Sequence, residues 1–235
     1  MMNVVRLPLG LLLATVLSAC VSNAPVPLYQ LDAGPAHAPV NEEGIAVLLG
    51  PISIADYLQR EALLQRQEDG SLTTATGGRW AGSLAADIDQ QLLRQLAAQL
   101  DTQRLVLAPA APGFVPQVQI KLAISRLDSG PSRPAVLEAQ WSLLSKDGKL
   151  LNGRLIRLEE PHQGGLADQV QAQSRVMQKL VTQLASAVRS ADKAESVAQA
   201  DAARKKAPAT PAKPEAPPRM PVAEPIRIDA EVFRF

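Results

Sequence analysis

The sequence predicts an α+β fold: a mainly antiparallel sheet with two long amphipathic helices packed on it, plus flexible N- and C-terminal segments. Three observations carry this. Residues 79–100 and 166–189 place apolar side chains at helical spacing. Three runs between residues 117 and 158 alternate apolar and polar residues, and the last two flank a Lys146-Asp147-Gly148 turn. Residues 20–43 and 191–235 are rich in Ala, Pro and polar side chains and offer no apolar stripe.

The elements follow in chain order. Met1 to Arg6 carries one positive charge, Leu7 to Leu17 is a mostly apolar run, and Leu17-Ser18-Ala19-Cys20 ends it. The run is too short to span a hydrocarbon core, which needs roughly 20 residues, but it suits the apolar region of a secretory signal. Small residues followed by Cys form the pattern at which bacterial lipoproteins are cut and acylated on the thiol. Cys20 is the only cysteine in the chain. It is therefore the expected lipidation site, with residues 1–19 as the signal peptide. One acyl chain holds a protein only weakly and reversibly, so two or three are expected. Val21, not Asp, follows the cysteine, which favours the outer membrane over retention at the inner one.

Residues 20–43 read as a lipidated tether. Its 23 residues from Val21 to Glu43 would reach about 75 Å when stretched, at roughly 3.3 Å each. Tyr29 and Leu31 alternate within it, so Pro27 to Leu31 is a candidate docked strand. Residues 44–190 are the expected periplasmic domain. Ile45 to Ile54 reads as a buried strand with a kink or bulge at Gly50-Pro51. A loop-like stretch covers residues 55–60, Asp69-Gly70 is a turn, and Leu72 to Ala75 is a short strand.

Gly77-Gly78 is expected to open the first helix. Its apolar row is Trp80, Leu84, Ile88, Leu92, Leu96 and Leu100, with Asp87, Gln91 and Arg94 mostly off the row. Arg104 to Ala108 is a strand. Gln117 to Leu127, Val136 to Ser145 and Lys149 to Leu158 form a meander, and residues 159–165 a loop. In the second helix Leu166, Val170, Met177, Leu180, Val181, Leu184 and Val188 share one broad face.

After Ser190 the stripe ends. Asp192 to Lys206 can extend the helix without it, and Ala207 to Pro225 reads as a polyproline-like spacer. Ile226, Ile228, Ala230 and Val232 then alternate with charged residues, and Phe233-Arg234-Phe235 follows. Ile226, Ile228, Phe233 and Phe235 are candidate contacts of a segment that pairs with a partner.

Composition narrows the function classes. Lys and Arg number 24 and Asp and Glu 23, so no basic field of the kind that binds nucleic acid is expected. Seven aromatic residues and two histidines, His37 and His162, leave little for base stacking or metal ligation. No GxGxxG, GxxxxGK, HExxH or GxSxG pattern occurs. Glu159-Glu160-Pro161-His162 reads as a solvated loop and Gly164-Gly165 as a plain helix start. Neither an enzyme nor a cofactor is expected.

The residues also resemble a known family. Ile45-Ala46-Val47 with Leu49-Gly50-Pro51-Ile52-Ser53-Ile54, then Asp56-Tyr57-Leu58 and Arg60, are similar to the signature of PqiC/YmbA-type lipoproteins. These are auxiliary lipoproteins of MCE-type (mammalian cell entry) transport systems. Arg79-Trp80-Ala81-x-x-Leu84, Leu137-Glu138-Ala139-x-Trp141, Asp147-Gly148 and Arg157-Leu158-Glu159-Glu160-Pro161 extend the likeness over residues 28–190. Ala55, Gln59, Glu61 and Gly82 depart from the pattern. The resemblance implies a non-catalytic part of envelope lipid transport, partnered with an MCE-domain protein and a permease, with a homo-oligomer left open. A periplasmic carrier of a small apolar ligand and a structural envelope-assembly lipoprotein are the alternatives.

Tyr57, Arg60 and Trp80 complete the candidate partner interface. Tyr57 and Arg60 follow a strand, where binding residues concentrate, and an amphipathic Tyr with a forked Arg suits an interface centre. Core packing is the competing role for Trp80, and a local Asp56–Arg60 pair for Arg60.

Overall fold

The computed structural model describes residues 25–35 and 37–206. Cys20, the spacer from Ala207 to Pro225, and Ile226, Ile228, Phe233 and Phe235 lie outside the described residues.

Eight strands form one mixed sheet: β1 (Leu28–Tyr29), β2 (Val47–Ile54), β3 (Ala62–Arg66), β4 (Leu72–Trp80), β5 (Leu105–Leu107), β6 (Val118–Gly130), β7 (Arg133–Ser145) and β8 (Leu150–Glu160). Among the described residues two helices complete it, α1 (Leu84–Leu100) and α2 (Leu166–Lys206), with a 3-10 turn at Asp56–Leu58. The compact unit with the sheet runs to Glu195; Ser196 onward is a second unit.

The long ladders are antiparallel: β6 with β7, then β7 with β8. The β7–β8 register centres on the Lys146-Asp147-Gly148 turn, where Gly148 adopts φ +76°. The sheet is mixed because β2 runs parallel to β5 and β6, β3 to β6, and β1 to β4. The expected irregularity in β2 is present: the Gly50-Pro51 peptide is cis, and the register with β6 shifts between Leu49 and Ile52.

Alternation decides which face is covered. Val118, Ile120, Leu122 and Ile124 of β6 join Leu137, Ala139, Trp141 and Leu143 of β7 in the core. Leu84, Ile88, Leu92 and Leu96 of α1 and Val176, Leu180 and Leu184 of α2 belong to the same core. The opposite side of the sheet keeps Lys121, Ala123, Ser125 and Gln140 exposed.

The first helix begins later than its apolar row suggests. Gly77, Gly78, Arg79 and Trp80 end strand β4 rather than opening a helix. Ser83 is the true N-cap: its backbone is extended and its hydroxyl accepts the Ala86 N–H at 3.4 Å. Trp80 therefore reaches the core from a strand, at 6% exposure, one turn's distance from the row it seemed to head. Two further differences are local. Residues 62–66 form β3 with Leu63 buried. Strand β8 continues through Glu159 and Glu160 because α2 fastens it: Glu160 receives Arg175 at 2.7 Å and Lys179 at 2.7 Å.

Candidate functional site

Two constructions lie outside the plain helix-on-sheet core. The first is a strap, residues 28–35, laid over both helices. It begins as β1, pairing parallel with β4 in the register Leu28–Arg79 and Tyr29–Trp80. The Arg79 N–H donates to Pro27 O at 3.2 Å and the Ala81 N–H to Tyr29 O at 2.8 Å. The backbone beyond is then held by helix side chains. The Leu31 N–H donates to Asp87 Oδ2 at 2.7 Å, and Gln91 Nε2 donates to Leu31 O. From α2, Ser174 Oγ accepts the Asp32 N–H at 2.9 Å and Gln178 Nε2 donates to Asp32 O at 3.2 Å. Leu31 itself is buried in the core, a gain of about 2 kcal/mol for a side chain of its size.

The strap explains two features of the sequence. Gln91 is buried although it lies off the apolar row of α1, because the strap covers the helix face that would otherwise meet water. Its amide is satisfied there, donating to Leu31 O and accepting from Gln95 Nε2 at 2.9 Å. Gly78 is bare so that the strap can seat: a Cβ at this position would run into the Tyr29 ring.

The second construction is an ionic ribbon crossing four strands. Asp128 of β6 is 1% exposed and receives Arg66 of β3 and Arg126 of β6, at 2.6 and 2.9 Å. Arg126 also faces Glu138 of β7 at 3.7 Å, and Glu138 pairs with Arg157 of β8, which holds Glu159 at 2.5 Å. Burial pushes the Asp128 carboxyl up, but hydrogen bonds from Arg66 and Arg126 and their charges outweigh it, so the carboxyl sits below its ordinary range. Tyr57 closes the ribbon from above. Its hydroxyl donates to Asp128 Oδ2 at 3.1 Å and accepts the Leu127 N–H at 3.3 Å. Burial, then the Asp128 charge, pushes the phenol up to about 12.

These contacts separate the sequence-selected residues. Tyr57 is half-buried with its hydroxyl committed to the ribbon, while Arg60 is exposed. Asp56 accepts from Gln59 Nε2 at 3.4 Å, and the ion pairs of the described residues do not join it to Arg60. Trp80 and Leu58 both lie in the core, the Trp80 N–H donates to Glu61 O at 2.9 Å, and Tyr57 packs against that core. So Tyr57 and Trp80 brace the turn that displays Arg60. Sequence reading missed the ribbon. The hairpin turn alone would have set Glu138 opposite Arg157, whereas the approach of Arg66 depends on tertiary packing.

Strap and ribbon bind chain segments to one another. A surface cleft of about 370 Å3 lies between the strap and the start of α1, lined by Tyr29, Trp80, Asp87 and Arg94. Among the described residues no helix is long and apolar enough to cross a membrane.

A family model described as the ABC-type transport auxiliary lipoprotein component matches residues 29–185. The match spans the strap from Tyr29, the rest of the sheet and the first half of α2. Among solved structures, a crystal structure of an uncharacterized protein is similar at 19% identity, with a TM-score of 0.56, covering 68% of this chain and 97% of its own. A protein of the DUF330 family from Xanthomonas campestris is similar at 16% identity and a TM-score of 0.56, covering 73% and 95%. At these identities the likeness is one of fold. No curated protein sequence matches.

Proposed function

The chain belongs to the ABC-type transport auxiliary lipoprotein family, and from that premise we propose that it is a non-catalytic accessory of an MCE-type envelope lipid transport system, anchored to the outer membrane through Cys20. The family match over residues 29–185 is the observation that carries this reading. The lipobox around the chain's only thiol supports the anchor, and Val21 supports the outer membrane. The two built features described above tie elements together and display Arg60, which suits a docking protein that contributes surface rather than chemistry. On this reading the partners are an MCE-domain protein and a permease, with Tyr57 bracing the turn and Arg60 making contact. Residues 226–235, including Ile226, Ile228, Phe233 and Phe235, are a second docking segment.

Purification of the intact chain from crosslinked cells tests the reading. Recovery of an MCE-domain protein as first neighbour is expected. Recovery of peptidoglycan or of outer-membrane assembly factors would replace transport with a structural role. Lipid bound stoichiometrically to the purified domain would replace it with a carrier. The anchor has its own test: the Cys20→Ser variant should fail to incorporate radioactive fatty acid, and label retained on it would defeat the assignment.

A further inference from the structure

The strap changes how far the domain can stand from its anchor. Sequence composition alone allows a free tether to residue 43. In the structure the chain is fastened from Leu28, by its pairing with Arg79 and by the hydrogen bonds that follow through Asp32. Eight residue steps then separate Cys20 from Leu28. Fully stretched they reach about 28 Å, at up to roughly 3.5 Å each. A domain of this length is about 40 Å across, from a radius of gyration of roughly 15 Å. The leash is shorter than the body it holds, so the body cannot present an arbitrary face to the surface on which Cys20 is anchored.

The residues at the exit of the strap fit such a surface. Val26, just before β1, is 52% exposed and Leu28, its first residue, is 55% exposed, two apolar side chains on the segment that leads back to the anchor. Arg79, the register partner of Leu28, is exposed beside them. Apolar side chains with a neighbouring cation suit the interfacial layer of a bilayer, where the first meet acyl chains and the second meets phosphate groups. The far edge also exposes Leu150, Leu151 and Leu155 on β8, so reach from the anchor, and not composition, distinguishes the two edges. Strand β8 ends the path β1-β4-β3-β6-β7-β8, five strand spacings of about 4.8 Å from β1.

We propose that the short leash from Cys20 to Leu28 holds the strap edge of the domain, Val26, Leu28 and Arg79, against the lipid surface, and turns β8 and the sheet edge opposite the strap away from it. The partner is the bilayer that carries the acyl anchor, so the inference rests on the Cys20 reading given above. It adds an orientation: the β8 edge faces away from the bilayer.

The sole native thiol is consumed by acylation on this reading, so an introduced cysteine can carry a single label. The lipidated full chain would be labelled with a fluorophore at Leu28→Cys or, separately, at Leu155→Cys on β8, where the native side chain is 80% exposed. Both would be placed in phosphatidylethanolamine–phosphatidylglycerol vesicles doped with a headgroup-region quencher. Quenching several-fold stronger at position 28 than at 155 is expected. Inserting 20 Gly/Ser residues between Ala24 and Pro25 should bring the two within error of each other while both proteins still float with the vesicles. Equal quenching without the insertion, or a difference that survives it, would overturn the leash as the orienting device. Failure of the lipid-modified protein to float would overturn the Cys20 anchor instead, and flotation therefore separates the two readings.

Discussion

The strap and the Tyr57 turn are both short irregular segments laid on the same core, yet they are fixed in opposite ways. The strap is held by its backbone: peptide groups of residues 27–32 bond to β4 and to side chains of α1 and α2. The turn is held mainly by its side chains: the Tyr57 hydroxyl reaches a buried carboxylate and Leu58 is buried in the core. A backbone-held segment tolerates changes in its own residues and is sensitive to its receptors. A side-chain-held segment depends on the identities of its own residues.

This contrast predicts a graded series of effects. The largest belongs to Asp128→Ala, which leaves Arg66 and Arg126 facing each other without their shared carboxylate. A loss of about 3 kcal/mol in urea-unfolding stability is expected. A loss under about 0.5 kcal/mol would mean that the ribbon holds nothing. Because the folded carboxyl of Asp128 is lowered, its contribution is present above the ordinary carboxylate pKa of about 3.9 and is lost as the pH falls below that value.

Next comes Gly78→Val, which blocks the seat of Tyr29 without touching the strap. About 2 kcal/mol should be lost, and amide exchange should accelerate at Leu31 and Asp32 before it does in β6 and β7. Uniform acceleration across the sheet would show that the strap is not a separate unit. Tyr57→Phe is milder, removing one hydrogen bond worth about 1 kcal/mol at neutral pH. The sign of its alkaline effect is definite. The folded phenol is raised to about 12, so its stabilisation is complete below the unfolded value of about 10 and declines as the pH rises from 10 toward 12. The Phe variant should lack that decline, and an unchanged alkaline limb would reject the assignment.

Arg60→Ala is expected to move the melting temperature by less than the equivalent of about 0.5 kcal/mol while weakening co-purification of the partner. It is a cleaner probe than a double change with Tyr57, whose loss also disturbs the ribbon. Smallest of all on stability, removal of residues 207–235 should leave the melting temperature unchanged and reduce association. A large thermal loss would reject the docking role of Ile226, Ile228, Phe233 and Phe235.

The same contrast explains what was legible in the sequence. The meander could be read because alternation in β6 and β7 records burial directly, and because the Lys146-Asp147-Gly148 turn centres the β7–β8 register. Tyr57 and Arg60 could be selected because they follow a strand and because an amphipathic Tyr and a forked Arg suit an interface. The strap was visible only as the Tyr29–Leu31 alternation, since backbone hydrogen bonds leave no mark on the residue that makes them. Its receptors did leave one. Asp87 and Gln91 on α1, and Ser174 and Gln178 on α2, are polar pairs four residues apart on consecutive turns. Trp80 misled because its four-residue spacing to Leu84 continues the α1 row by coincidence, while the Ser83 cap that ends the strand is a one-residue signal.

The central claim is that this lipid-anchored domain displays a docking turn to a transport partner. A photo-crosslinking amino acid placed at Arg60 in the otherwise intact chain tests it in cells, with the adduct identified by mass spectrometry. The account predicts an adduct with an MCE-domain protein that disappears in the Cys20→Ser background. An adduct with a peptidoglycan-bound or outer-membrane assembly protein, unchanged when Cys20 is replaced, would contradict it.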